Sequence, residues 1–84
     1  MEEYLLIARS VTQAQRIQRV LRRAGISAAM ARAPMELTGG QGCSYALRIR
    51  PEVLDNALRT IRGAGLPSVA IFLFAQGQYR EVEP

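Results

Sequence analysis

Residues 19–26, Arg-Val-Leu-Arg-Arg-Ala-Gly-Ile, match residues 59–66, Arg-Thr-Ile-Arg-Gly-Ala-Gly-Leu, at a displacement of forty residues. Each segment closes an amphipathic stretch with a glycine, Gly25 or Gly65, which is typical of the C-terminal end of a helix. An apolar run with strand character precedes and follows each stretch. The repeat therefore predicts the order strand, helix, strand twice over, βαββαβ.

The first copy of this pattern begins with a strand over residues 4–8, an apolar run buried on both faces. Ser10 is a helix N-cap candidate, and Gln13 three residues later completes a capping box. After the helix ends at Gly25, residues 26–33 form a second predicted strand, which Pro34 ends and after which a loop begins.

The second copy begins at residues 45–50, whose alternation of apolar and polar side chains predicts a half-exposed strand. Pro51 suits the first helical position, because its missing N–H would be unpaired there anyway. The last strand is predicted over residues 69–74. Residues 76–84 are expected to turn at Gly77 and to add a short edge segment or a tail.

These elements predict one α+β domain over residues 1–84, a ferredoxin-like sandwich with a four-stranded antiparallel sheet and both helices on one face. Strands one and three are expected at the centre and strands two and four at the edges. Because residues 69–74 are apolar on both faces and the helices cover only one, we also expect a homodimer or higher oligomer through this final strand.

Composition excludes most catalytic chemistry. All eleven positive residues are arginine in a chain of 84 residues with a net charge of +4. Without histidine or lysine, the chain lacks imidazole bases, Schiff-base chemistry and the usual phosphate-loop lysine. We expect no metal and no cofactor. The acidic start, the short apolar runs and the single cysteine predict a cytoplasmic protein without a membrane span.

The remaining reactive group is the chain's one cysteine, Cys43. It closes the glycine-rich segment Thr38-Gly39-Gly40-Gln41-Gly42-Cys43-Ser44. Glycines let the backbone approach a small group closely and point successive N–H donors at it. Such donors stabilise a thiolate, the reactive form of cysteine. The alternative is that Cys43 is a small buried hydrophobe and that the loop is a plain connector.

Arginines also cluster on the two predicted helices, at positions 16, 19, 22, 23, 59 and 62. Clustered arginines can neutralise phosphates, but the strands lack the aromatic pairs that stack bases, Tyr45 being the one obvious candidate. We therefore interpret the arginines as a solvated helix surface that attracts anionic partners, and we expect no nucleic acid as ligand.

The segment around Cys43 resembles the selenium/sulfur carrier-like family of small bacterial proteins. The resemblance is carried by Pro34, by Gly39-Gly40 and Gly42-Cys43, by residues 45–48 and by the helix exit at residues 21–26. The family often has a glycine after the cysteine, where this chain has Ser44.

The resemblance implies a carrier. Cys43 would accept sulfur or selenium as a persulfide or selenosulfide and pass it to an acceptor enzyme. The predicted binding residues are Gly39, Gly40, Gly42, Ser44 and Arg48, with Arg32 as a further cation near the anion. No second cysteine is present to resolve a disulfide, so donor and acceptor proteins or a small thiol are the expected partners.

Two other classes of function stay open at the level of sequence. A regulatory module of the same βαββαβ plan would bind a small ligand at a dimer interface, with Cys43 incidental. A pure interaction subunit would use the basic helices or the last strand. Whether the chain turns over a substrate stays open at the level of sequence, and a carrier or accessory role is favoured over that of a turnover enzyme.

Overall fold

The computed structural model describes residues 2–38, 44–67 and 69–83. They form five strands, β1 (Glu3–Ala8), β2 (Ala29–Arg32), β3 (Tyr45–Ile49), β4 (Ala70–Ala75) and β5 (Gln78–Val82), and three α-helices, α1 (Val11–Arg23), α2 (Met35–Thr38) and α3 (Leu54–Gly63). A 3₁₀ turn, Pro51–Val53, leads into α3, so the helical segment begins at Pro51 as predicted.

The strands form one antiparallel sheet in the order β2-β3-β1-β4-β5. The α+β class, the antiparallel pairing and the adjacency of β2 and β3 are confirmed. Strands β1 and β3 lie inside the sheet and β2 at an edge, as expected. The prediction of four strands with the fourth at an edge is wrong, because a fifth strand, β5, pairs with β4 from Ile71 to Ala75. The chain reaches this pairing through a turn at Gln76 and Gly77, both of which have positive φ.

Strand alternation assigns the side chains of the sheet to two faces. Leu6 on the central strand lies opposite Leu47 of β3 and Ile71 of β4. All three are buried in one cluster with Ile17 of α1 and Ile61 of α3. Both long helices therefore pack on the face that carries Leu6, which we call the helix-covered face.

The opposite face, which we call the open face, is also largely apolar. It carries Glu3, Leu5, Ile7, Ala29, Ala31, Ala46, Arg48, Ala70, Phe72, Phe74, Tyr79 and Glu81. Leu5 and Ala46 are only 5% and 2% exposed, yet they do not belong to the cluster beneath the helices. They are buried although the cluster beneath α1 and α3 does not include them.

The second strand is shorter than the predicted span of residues 26–33. Ile26 cannot begin it, because its N–H donates to the carbonyl of Leu21 at 2.9 Å and closes the end of α1. The predicted loop after Pro34 starts instead with the single helical turn α2, in which the N–H of Leu37 donates to the carbonyl of Pro34 at 3.0 Å.

The two ends of the forty-residue repeat adopt the same geometry. Gly25 and Gly65 have φ of 80° and 73°, the left-handed region in which glycine is favoured. Each donates its N–H to the carbonyl three residues earlier, at 3.0 Å in both cases. The residues that follow, Ile26 and Leu66, bond back to the last turn of α1 and α3. The glycine stops predicted from the repeat are confirmed.

Two glycines of the second repeat are expected to respond to alanine in opposite directions. Gly65→Ala places a side chain at positive φ and should lower the free energy of unfolding by about 1 kcal/mol. Gly63→Ala lies inside α3, with open space where its Cβ would go, and should raise that free energy by about 0.5–1 kcal/mol. Urea unfolding followed by circular dichroism measures both, and changes of the same sign would contradict this account of the helix end.

Candidate functional site

The candidate site is the segment that joins α2 to β3. Cys43, Gly39, Gly40 and Gly42 lie outside the described residues, so the geometry available is that of the residues on either side. Of the predicted binding residues, Ser44 and Arg48 are described.

Ser44 is half-buried and is held in place by the neighbouring strand. Its carbonyl accepts a hydrogen bond from the N–H of Ala33 at 3.1 Å. The next residue, Tyr45, lies opposite both Arg32 at the end of β2 and Ala8 at the end of β1. The start of β3 and the ends of β1 and β2 therefore meet at one end of the sheet, which we call the loop end.

Helix α1 also begins at the loop end. The Ser10 hydroxyl accepts from the N–H of Gln13 at 3.2 Å, and the Gln13 side-chain oxygen accepts from the N–H of Arg9 at 2.7 Å. This reciprocal pair is the predicted capping box, extended by one residue to Arg9. It satisfies backbone donors that the first turn of a helix leaves unpaired.

Two exposed arginines lie at the loop end. Arg32 was expected near the cysteine from its position in the sequence, whereas Arg9 was missed. The signal for Arg9 was available, because it follows directly after the first strand. Arg9 also lines an open groove of about 350 Å³ together with Arg16 and the segment Leu66-Pro67.

The large hydrophobic side chains that are exposed in the described part of the chain also lie at this end. Val11 is 40% exposed and Met35 is 75% exposed. Each follows the last residue of a strand by three positions, Val11 after Ala8 and Met35 after Arg32. The loop end thus combines exposed apolar surface with exposed positive charge.

Arg48 lies away from the loop end. It is four residues beyond Ser44 along β3, a distance of about 13 Å in an extended strand. Its guanidinium pairs with Glu3 on the adjacent strand, with the Nε atom 3.2 and 3.1 Å from the two carboxylate oxygens. The structure therefore brings Arg32, and not Arg48, close to Ser44.

The surfaces relevant to nucleic-acid binding lie on opposite sides of the molecule. The helix arginines are exposed, but they belong to the layer that covers one face of the sheet. Tyr45 packs against the core on that same face and cannot present its ring for stacking on the open face. The open face instead carries a pair that the sequence interpretation missed, Phe74 and Tyr79, with ring centroids 4.7 Å apart.

The described residues contain neither a candidate membrane-spanning helix nor a candidate metal-binding cluster. Within residues 2–38, 44–67 and 69–83, no helix has the length and hydrophobicity needed to cross a membrane. Over the same ranges, no three side chains of histidine, cysteine, aspartate or glutamate are grouped so that they could hold a metal ion.

Comparison with known proteins assigns the chain to a family. Residues 3–73 match the family model described as "Putative Se/S carrier protein-like". The chain therefore belongs to this family of selenium/sulfur carrier-like proteins, as its resemblance predicted. The match runs from β1 into β4 and includes the segment with Cys43, whereas β5 lies beyond it. No curated protein and no solved structure matches the chain significantly.

Proposed function

We propose that this protein carries a sulfur or selenium atom on Cys43, as a persulfide or selenosulfide, and passes it to a partner enzyme. The observation that carries this proposal is the family match over residues 3–73, a range that contains the only cysteine of the chain. A carrier of this kind needs one thiol and a partner at each step, and it needs neither a general base nor a cofactor of its own.

The transfer balances without an external oxidant or reductant. The Cys43 thiolate attacks the terminal sulfur of a donor persulfide, R–S–SH, so that a new S–S bond forms and the donor leaves as R–S⁻. An acceptor thiolate then attacks the outer sulfur of the Cys43 persulfide and releases Cys43 as the thiolate. The same sequence with R–S–SeH moves selenium.

The surroundings of the loop support an anionic sulfur. Arg9 and Arg32 are exposed at the loop end, and positive charge nearby favours the thiolate over the thiol. Backbone donors at Gly39, Gly40 and Gly42 would add to this effect. Ser44 is included among the residues that bind the transferred atom because it directly follows the cysteine. A role for Arg48 in binding the transferred atom stays a prediction, and it requires the ion pair with Glu3 to open.

Donor and acceptor proteins are proposed to dock at the loop end. Val11 and Met35 offer apolar contact there, and Arg9 and Arg32 offer partners for carboxylates on the docking protein. Exchange with such proteins is proposed to take place in the cytoplasm. Nucleic acid is not the proposed ligand, because the helix arginines and the open-face aromatic pair cannot contact one strand on a single surface.

The carrier proposal predicts stoichiometric loading. After incubation with glutathione persulfide, the intact protein should gain the mass of one sulfur atom, and an added thiol should remove it. Unloaded Cys43 should also alkylate faster than free cysteine near neutral pH, because the loop favours thiolate. A protein that stays unmodified by both reagents, while folded by circular dichroism, would contradict the proposal.

The competing function is an interaction or regulatory module without reactive chemistry. It is favoured by one observation, the apolar open face, which a carrier does not require. The loading experiment separates the two functions, since an inert Cys43 leaves only the module.

A further inference from the structure

The open face is apolar at its centre and carries little charge. Its middle strand, β1, contributes Leu5 and Ile7, which are buried and half-buried. Phe72 and Phe74 of β4 extend this surface and are themselves half-buried. The charged side chains on the face are Glu3, Arg48 and Glu81, of which the first two pair with each other. Contact with this face therefore requires an apolar surface of similar shape.

Charge is distributed unevenly between the two layers. Helix α1 carries Arg16, Arg19, Arg22 and Arg23 and no acidic residue, and α3 adds Arg59 and Arg62 against Asp55. Two copies that met through their helix layers would bring these arginines together, and like charges across an interface are unfavourable. Two copies that meet through their open faces place both arginine layers on the outside.

The edges of the sheet are poor surfaces for self-association. β2 at one edge has only four residues, and β5 at the other carries Arg80 and Glu81. Short, charged edge strands oppose strand addition. Because β5 covers the edge of β4, that edge is not available for the contact expected through the final strand, whereas Phe72 and Phe74 of β4 belong to the open face.

We propose that the open face binds the open face of a second copy, which gives a two-layered homodimer with the helices outside. The two-fold axis passes near β1, so that the half-buried Ile7 and Phe72 of the two copies meet near the centre. The sheet is about 24 Å wide and its strands are about 17–20 Å long, so the contact buries on the order of 1,000 Å² in total. This lies at the low end for specific interfaces, and the dimer should dissociate on dilution.

The test uses two exposed alanines, one in each layer. Ala70 lies on the open face opposite Ile7, and Ala24 lies at the end of α1. Ala70→Glu places a carboxylate in the interface, where it faces either the same carboxylate of the other copy or an apolar side chain. It should therefore raise the dimer dissociation constant about tenfold or more. Ala24→Glu adds the same charge outside the interface and should leave dimerisation unchanged. Ala31→Glu, on the open face of β2, repeats the test at a second exposed position.

Sedimentation velocity from low to high micromolar concentration measures all four proteins, and circular dichroism confirms that each is folded. A wild-type dimer that Ala70→Glu and Ala31→Glu dissociate and Ala24→Glu does not supports the proposal. A wild-type protein that is monomeric at high micromolar concentration overturns it. A dimer that Ala24→Glu dissociates would also overturn it. Binding of a single-stranded oligonucleotide to the open face, measured by titration, would overturn it as well. None of these outcomes depends on the reactivity of Cys43.

Discussion

Replacement of Cys43 by serine is expected to abolish sulfur loading completely while leaving the fold intact. Serine nearly keeps the size of the side chain, but its hydroxyl cannot form a persulfide. Intact mass after incubation with glutathione persulfide should therefore show no adduct for Cys43→Ser, against one sulfur per chain for the wild type. The far-ultraviolet circular dichroism and the unfolding midpoint should be unchanged, because serine and cysteine differ by a single atom of similar size.

A relocated thiol provides the matched control. The double variant Cys43→Ser with Ser44→Cys moves the thiol by one residue. Residue 44 is half-buried, and its carbonyl accepts a hydrogen bond from the N–H of Ala33. The double variant should load and alkylate more slowly than the wild type. Gly42→Val should also slow both reactions by crowding the sulfur. Equal rates in all three proteins would show that the thiol reacts as any cysteine does and that the loop contributes nothing.

Leu6→Ala is expected to cause the largest loss of stability among single core substitutions. Leu6 is fully buried at the middle of the central strand, between Leu47 and Ile71 and beneath both long helices. Truncation removes apolar contacts and leaves a cavity that these neighbours cannot close, which lowers the free energy of unfolding by about 3 kcal/mol. Denaturant unfolding at low protein concentration, where dimerisation does not contribute, measures this loss.

The adjacent leucine supplies the comparison. Leu5 has the same size and nearly the same burial, but its side chain lies on the open face. Because Leu5 does not belong to the cluster beneath the two long helices, the loss should be less than half of that for Leu6→Ala. At high concentration Leu5→Ala should also weaken the proposed dimer, whereas Leu6→Ala should not do so beyond its effect on folding. Equal losses at low concentration would contradict the assignment of faces.

Local sequence signals predicted most of the fold. The capping box at Ser10 and Gln13 and the glycine stops at Gly25 and Gly65 depend on residues within one or two helical turns, and the structure confirms them. The errors arose where backbone hydrogen bonds between neighbouring segments decide whether a residue belongs to a strand or to a helix end. Ile26 was assigned to the strand predicted over residues 26–33, but its N–H donates to a carbonyl of α1.

The fifth strand was only partly anticipated. The turn at Gly77 was expected, but Gln78–Val82 is mostly polar and charged and lacks the apolar run that marked the other strands. It is a strand because β4 offers it an unpaired edge. Helix α2 was missed for a related reason, since a single turn after Pro34 is too short to show periodicity.

The candidate site was predicted in its chemistry but not in its surroundings. Cys43 stands out from composition alone, because it is the only thiol in a chain that has neither histidine nor lysine. Arg48 was chosen for its closeness in sequence to Cys43, yet the register of β1 against β3 decides that Glu3 binds it. A partner so distant along the chain leaves no local signal.

The central position of β1 has a consequence for how the chain folds. β1 is the first strand to be synthesised, but both of its neighbours follow much later, and Glu3 pairs with Phe74 near the end of the chain. Contacts between such distant residues require long loops to close, which slows folding. We therefore expect the sheet to assemble only after nearly all of the chain has been made, and a chain that stops before β4 would leave one edge of β1 unpaired.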